Sequence, residues 1–230
     1  MVRGLDIFRE RFRDFTDRYM LIGGTACDQA MAEVGLEFRA TKDLDIVLCI
    51  EALDIAFVEA FWQFVRDGDY QIRQKADGGR QFYRFQKPAD ASFPFMLELF
   101  SRSPDGLDVP KDCHLTPIPT AEEVSSLSAI LMDDDYYHFI RSAIREIDGL
   151  SVVSAEGLIP LKARAWLDLT ERKAAGAGID SREINKHKND VFRLYQIVDP
   201  EAVPEVPKAV KTDMAAFIEQ MASEQTDLKA

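Results

Sequence analysis

The chain has 230 residues and a net charge of −12, with 47% hydrophobic and 30% charged residues. That supplies enough apolar material for a packed core and excludes a disordered chain, while no stretch reaches the ~18 consecutive apolar residues of a membrane span. An acidic chain repels phosphate backbones and so is no general nucleic-acid binder, which leaves a local basic patch as the route to RNA.

Leu5 to Tyr19 is predicted as a helix, because Ile7, Phe8, Phe12 and Phe15 recur at helical spacing between charges. The short run Tyr19 to Ile22 reads as a strand that meets a tight turn at Gly23-Gly24. Thr25 is placed to cap a helix from Ala26 to Val34, stopped by Gly35. Asp43 to Ile50 alternates as a second strand, with Leu44, Ile46 and Leu48 on one face and Asp43, Asp45 and Val47 on the other. An amphipathic helix follows over Leu53 to Val65. Strands over Tyr70 to Gln74 and Gln81 to Gln86 are joined around Asp77-Gly78-Gly79, and Phe95 to Phe100 is a further strand.

Ser101 to Pro119 contains four prolines and reads as loop, and Ala121 to Met132 reads as a short helix. Tyr136 to Ile147 fits either helix or strand. Asp148-Gly149 before Leu150 to Val153 is a hairpin signal. Helices are predicted over Leu158 to Leu169, Ser181 to Val198 and Met214 to Met221, separated by Gly176, Gly178 and a proline-rich break. The expected fold is α+β: a short mixed sheet flanked by helices over residues 1–153, then a mainly helical part over 154–230, as two domains or two layers of one body.

Three places carry chemistry. Asp43 and Asp45 lie at i and i+2 on a strand, so they share one face, and like charges that close call for a cation between them. Mg²⁺ takes oxygen ligands of this kind; a solvated strand edge is the alternative. Gly23-Gly24 between strand and helix exposes backbone amides at a helix N-terminus, a geometry that accepts phosphate, with Thr25 adding a hydroxyl. Glu98 sits between Leu97 and Leu99, where a carboxylate needs a metal or an Arg as partner.

Other features rank lower. Cys27, Cys49 and Cys113 are widely spaced and suit a reducing compartment, and Cys113-His114 has no second pair to complete a metal site. Asp133-Asp134-Asp135 reads as a solvated turn, and Trp62 and Trp166 as core. His114, His138 and His187 show no ligand or nucleophile spacing.

Together, Gly23-Gly24-Thr25, Asp43-Leu44-Asp45 and Met96-Leu97-Glu98-Leu99 resemble the nucleotidyltransferase superfamily that includes DNA polymerase beta. The third acid there is more often Asp. The string Arg39-Ala40-Thr41-Lys42-Asp43-Leu44-Asp45 after Gly-Gly is similar to the AbiEii/AbiGii toxin family, and Lys162 and Lys188-Asn189-Asp190 match its downstream helical motifs. The resemblance implies a nucleotidyltransferase-like core. It implies catalytic and Mg²⁺-binding roles for Asp43, Asp45 and Glu98, with nucleotide bound by Gly23, Gly24, Thr25, Arg39, Thr41, Lys162, Lys188 and Asp190.

The implied reaction moves a nucleotidyl group from a nucleoside triphosphate to an acceptor hydroxyl. The implied setting is a toxin acting on RNA or tRNA with an antitoxin partner. A small-molecule acceptor, as in antibiotic-modifying enzymes, and a non-catalytic nucleotide-binding protein are the alternatives. Lys162 to Arg193 holds eight Lys/Arg against five Asp/Glu, a locally basic stretch suited to a triphosphate or an RNA end. No membrane association is expected. The N-terminus has early charges of both signs and no apolar h-region, so a cytoplasmic location is expected.

Overall fold

A computed structural model describes residues 2–74, 80–103, 115–118, 127–201 and 205–227. Nine strands among them form one mixed sheet. Along its main path the order is β3 (Gln71–Gln74), β4 (Arg80–Gln86), β5 (Met96–Ser101), β2 (Asp43–Leu48), β1 (Tyr19–Ile22), β9 (Leu150–Val153) and β8 (Ile144–Ile147). β7 (Leu127–Leu131) continues from the far half of β5, and β6 (Leu115–Ile118) pairs with β7. β2 runs parallel to β5 and antiparallel to β1, whereas β1 runs parallel to β9. The expected α+β architecture, a mixed sheet of short strands flanked by helices and followed by a helical C-terminal part, is what the chain adopts.

The alternation of β2 and β5 creates two unlike faces. On one, Leu44 pairs with Leu97 and Leu97 with Phe85, and Phe85 meets Phe61 and Trp62 of α3 (Ile55–Asp67). Asp54 starts α3 by accepting from Phe57 N at 2.8 Å, and Phe57, Phe61 and Phe64 then recur on the stripe that meets Phe12 of α1 (Leu5–Phe12). The other face carries Asp43, Asp45 and Glu98. One connected core reaches from Leu21 and Leu44 on the sheet to Leu158, Trp166 and Leu194 on the later helices.

Several elements depart from their predicted bounds. The first helix ends at Phe12 and passes through a 3-10 turn at Arg13–Phe15 before β1. The second helix, α2 (Gly23–Glu33), begins at the glycines themselves, and Thr25 is not its cap. Part of the segment read as a helix over Ala121 to Met132 is β7, where pairing with β5 and β6 overrides local propensity. Part of the Ser101 to Pro119 loop is β6. Tyr136 to Ile147 divides into α4 (Asp134–Ser142) and β8, and Asp148 and Gly149 both take positive φ in the hairpin to β9.

Asp133 caps α4 by accepting from Asp135 N and Tyr136 N, which gives the acidic triplet a helix-start role. The last three helices are α5 (Ala155–Ala174), α6 (Ser181–Tyr195) and α7 (Lys208–Asp227). The Asp77-Gly78-Gly79 turn, Cys113 and His114 lie outside the described residues. No helix among the described residues is long and apolar enough to cross a membrane.

Candidate active site

The register of β2 on β5 sets Asp45 directly beside Glu98, with Asp43 two residues earlier on the same face of β2. Burial and then the neighbouring Glu98 carboxylate push Asp45 up to about 6, against the opposing pull of Lys162. Burial also raises Asp43, while Lys42, Lys186 and Arg84 work the other way. Asp43 Oδ1 is buried and accepts no hydrogen bond, an orphaned anionic oxygen that calls for a cation or a donor.

Glu98 already has a partner. Arg84, its register neighbour on β4, donates to Glu98 Oε1 and forms an ion pair with it. Among the described residues no group of three or more His, Cys, Asp or Glu is assembled as an ion site. The three carboxylates therefore share one face, but only the Asp43–Asp45 pair is without such an arginine clamp.

The Gly-Gly pair fits against these carboxylates. Gly23 opens α2 with φ of 70°, and a Cβ there would fall 1.7 Å from Asp45 Oδ2. A Cβ at Gly24 would fall 2.5 Å from Thr41 Oγ1 and 3.6 Å from Arg39 Nη2. The absence of side chains thus lets the N-terminus of α2, with its outward amides, approach Asp45, Thr41 and Arg39. Thr25 is fully buried, and its hydroxyl donates to Asp43 O at 2.7 Å, so it fastens α2 to the first residue of β2.

The opposite wall is helical. Asp190 on α6 is fully buried and anchors three cations. It accepts from Arg39 Nε at 2.9 Å and from Arg39 Nη2 at 2.7 Å, with Lys162 Nζ of α5 at 3.3 Å and Arg193 at 3.6 Å. Burial alone would raise Asp190; the Arg39 hydrogen bonds and the Lys162 charge outweigh it and hold the carboxyl below its ordinary range.

A cleft of about 970 Å³ lies between the two walls. Gly23, Gly24, Arg39, Thr41, Asp43, Asp45, Glu98 and Lys162 line it; Thr25, Lys188 and Asp190 do not. Lys186 and His187 take the place in the lining that sequence reasoning gave to Lys188. One signal pointed there: Lys186 precedes Asp190 by four residues, so the two share a helix face, whereas a two-residue offset turns Lys188 away.

Lys42, Arg84 and Arg164 were also missed as lining residues. Apart from the three sheet carboxylates, the charged lining comprises Arg39, Lys42, Arg84, Lys162, Arg164 and Lys186 against Asp168 and Glu183. That excess of cations around a carboxylate floor suits a ligand with several negative charges.

No protein-family model matches the chain, and no curated protein sequence matches it. Among solved structures, the chain is similar to an antigenic nucleotidyltransferase-like protein from Paracoccidioides brasiliensis. That likeness has 16% identity and a TM-score of 0.47, over 100% of this chain and 95% of the other. It is also similar to the lincomycin-bound lincosamide antibiotic adenylyltransferase LnuA, at 15% identity and a TM-score of 0.41, over 84% and 96% of the two chains. A third likeness is to the Megavirus polyadenylate synthase, at 11% identity and a TM-score of 0.39, over 88% of this chain and 33% of that one. These likenesses are distant, and the chemistry of the cleft rests on its own residues.

Proposed function

We propose that the cleft binds a nucleoside triphosphate and transfers its nucleotidyl group to an acceptor hydroxyl. The observation that carries this reading is the contact of Gly23 with Asp45: it brings an anion-accepting helix N-terminus and a paired-carboxylate floor into one basic cleft. Asp43 and Asp45 suit Mg²⁺, which is commonly held by one or two carboxylates together with substrate phosphates, and Asp43 Oδ1 lacks any other partner. The ion would supply charge neutralisation and alignment at the phosphates.

In this scheme the α2 N-terminus, Arg39, Lys162 and Lys186 hold the polyphosphate, with Asp190 fixing Arg39 and Lys162 from beneath. The acceptor oxygen forms a bond to the α-phosphorus, the bond to the β-phosphate oxygen breaks, and pyrophosphate leaves. Glu98, held by Arg84 and adjacent to Asp45, would receive the hydroxyl proton in this scheme. Positioning and electrostatics supply most of the rate.

The excess of lining cations favours an RNA hydroxyl as acceptor over a cationic small molecule. The toxin role rests on the Arg39 to Asp45 motif string, and growth arrest on expression that Asp45→Ala relieves is its test.

Calorimetry with each of the four NTPs and Mg²⁺, on wild type and on the double variant Asp43→Ala/Asp45→Ala, tests the reading. The expected result is metal-dependent binding of at least one NTP that the variant loses while keeping its fold. Well-folded wild-type protein that binds no NTP sinks the proposal.

A further inference from the structure

We infer that His187 belongs to the polyphosphate-binding set of this cleft and, at mildly acid pH, takes up a proton when a nucleoside triphosphate enters. The inference rests on the triphosphate reading above and adds to it a proton-linked residue that the sequence motifs do not mark.

His187 follows Lys186 on α6 and lines the cleft between the helical wall and the sheet carboxylates. Its Nδ1 is buried and has no hydrogen-bond partner. A buried N–H left unpaired is rarer than an unpaired acceptor, so Nδ1 carries the lone pair and the proton sits on Nε2. The imidazole is thus a neutral ring in a cationic setting. Lys162 faces it from α5, Arg39 from the segment before β2, and Lys186 and the buried Asp190 from its own helix. Asp168 of α5 and Glu183 of α6 line the same cleft. Burial first, then Lys162 and Lys186, hold His187 down at about 4, with Asp190 opposing them.

A triphosphate changes one side of that balance. Its oxygens seat among Arg39, Lys162 and Lys186 and cancel the repulsion that keeps the ring neutral. The desolvation penalty remains, so the midpoint rises toward the ordinary imidazole range without passing it. A rise of about one to two pH units is expected, because removing like charges acts directly on the charged form. The sign follows from linkage. At His187 the bound state holds more protons, so this residue's contribution to triphosphate affinity increases as pH falls through the bound-state midpoint toward the free-state midpoint. Protonation of Asp45, pushed up to about 6, opposes it in the same window.

The test is long-range ¹H–¹⁵N NMR of the imidazole nitrogens of the intact chain across a pH series. Spectra are taken without ligand and with saturating Mg²⁺ and ATP, GTP, CTP or UTP in turn. The chain has three histidines, and His187→Gln removes the signal of interest. Sequential assignment through its own backbone amide identifies the same signal if that variant folds poorly. The expected result is a neutral Nε2–H ring in free protein and a midpoint raised by about one unit or more with any NTP that binds.

If an NTP moves other resonances while the His187 midpoint stays put, the inference is overturned and the triphosphate reading stands. If no NTP moves any resonance, the triphosphate reading falls and this inference goes with it.

Discussion

The two walls of the cleft are built by different logics. The sheet wall takes its groups from strand alternation: two residues apart on β2 puts Asp43 and Asp45 on one face, and the β2–β5 register adds Glu98. The helical wall takes its groups from a hub. Arg39 and Lys162 lie far apart in sequence from Asp190, yet one buried carboxylate fixes both. A strand-borne site is specified locally and tolerates distant change. A hub-borne site fails when its centre fails, whichever cation is meant to meet the ligand.

The sharpest way to break the sheet wall alone is Gly23→Ala. The new methyl would lie 1.7 Å from Asp45 Oδ2, at a backbone φ of 70° that L residues pay roughly 1 kcal/mol or more to adopt. Asp45 must move or the start of α2 must shift, and displacements near 1 Å cost about 10²-fold in rate. The expected outcome is transfer lost by that factor or more, with a lowered melting temperature and an intact helical wall. Unchanged activity in a folded variant would show that Asp45 has no need of this contact.

Asp190→Asn probes the other wall. It strips the charge that compensates Lys162, which is 7% exposed, and Arg39, so the loss is of the order of 3 kcal/mol, as expected when one member of a buried ion cluster is removed. Because Asp190 never lines the cleft, its effect on nucleotide is indirect: KM should rise more than kcat falls, as Arg39 and Lys162 lose their fixed positions.

The pH dependence has a definite sign. The folded Asp190 carboxyl is held low, so its contribution is fully present above the unfolded carboxylate pKa of about 3.9 and is lost as pH falls below it. Urea titrations as a function of pH should show wild type losing stability through that acid window and Asp190→Asn lacking the corresponding loss. Parallel acid curves would mean that another carboxylate carries the dependence.

The same contrast explains what could be read from the chain. Tyr19–Ile22 came out with its bounds because an apolar run ending at Gly-Gly leaves few alternatives, and the shared face of Asp43 and Asp45 followed from period-two alternation, whereas Glu98 joins it only through the β2–β5 register. The positive φ of Gly23 gives the Gly-Gly signal its physical content, though the residues open the helix instead of preceding it. β7 was missed because it is paired by β5, distant in sequence and unseen by local propensity, and β6 because it forms only against β7. The Arg84 clamp on Glu98 was open only as a generic alternative. It depends on the β4–β5 register, which no spacing within either strand encodes. Thr25 was misassigned because a hydroxyl near a helix start is equally suited to a cap or to a neighbouring strand carbonyl.

The smallest expected effect separates Lys186, which lines the cleft, from Lys188, which the motif resemblance marks. Lys186 lines the cleft and its charge reaches both Asp43 and Asp45, lowering each; Lys188 does not line the cleft. Lys186 is solvent-exposed, so its pull on a polyphosphate is screened and moderate. Lys186→Ala should weaken Mg²⁺–NTP binding by about fivefold, with the difference shrinking as salt rises, while Lys188→Ala stays within about twofold of wild type.

Removing Lys186 also removes one of the cations that hold His187 neutral, so the free-state midpoint of His187 should climb more in Lys186→Ala than in Lys188→Ala. Equal weakening by both substitutions, measured by calorimetry at two salt concentrations, would mean that the field of the whole helix holds the nucleotide and that Lys186 has no position-specific part in it.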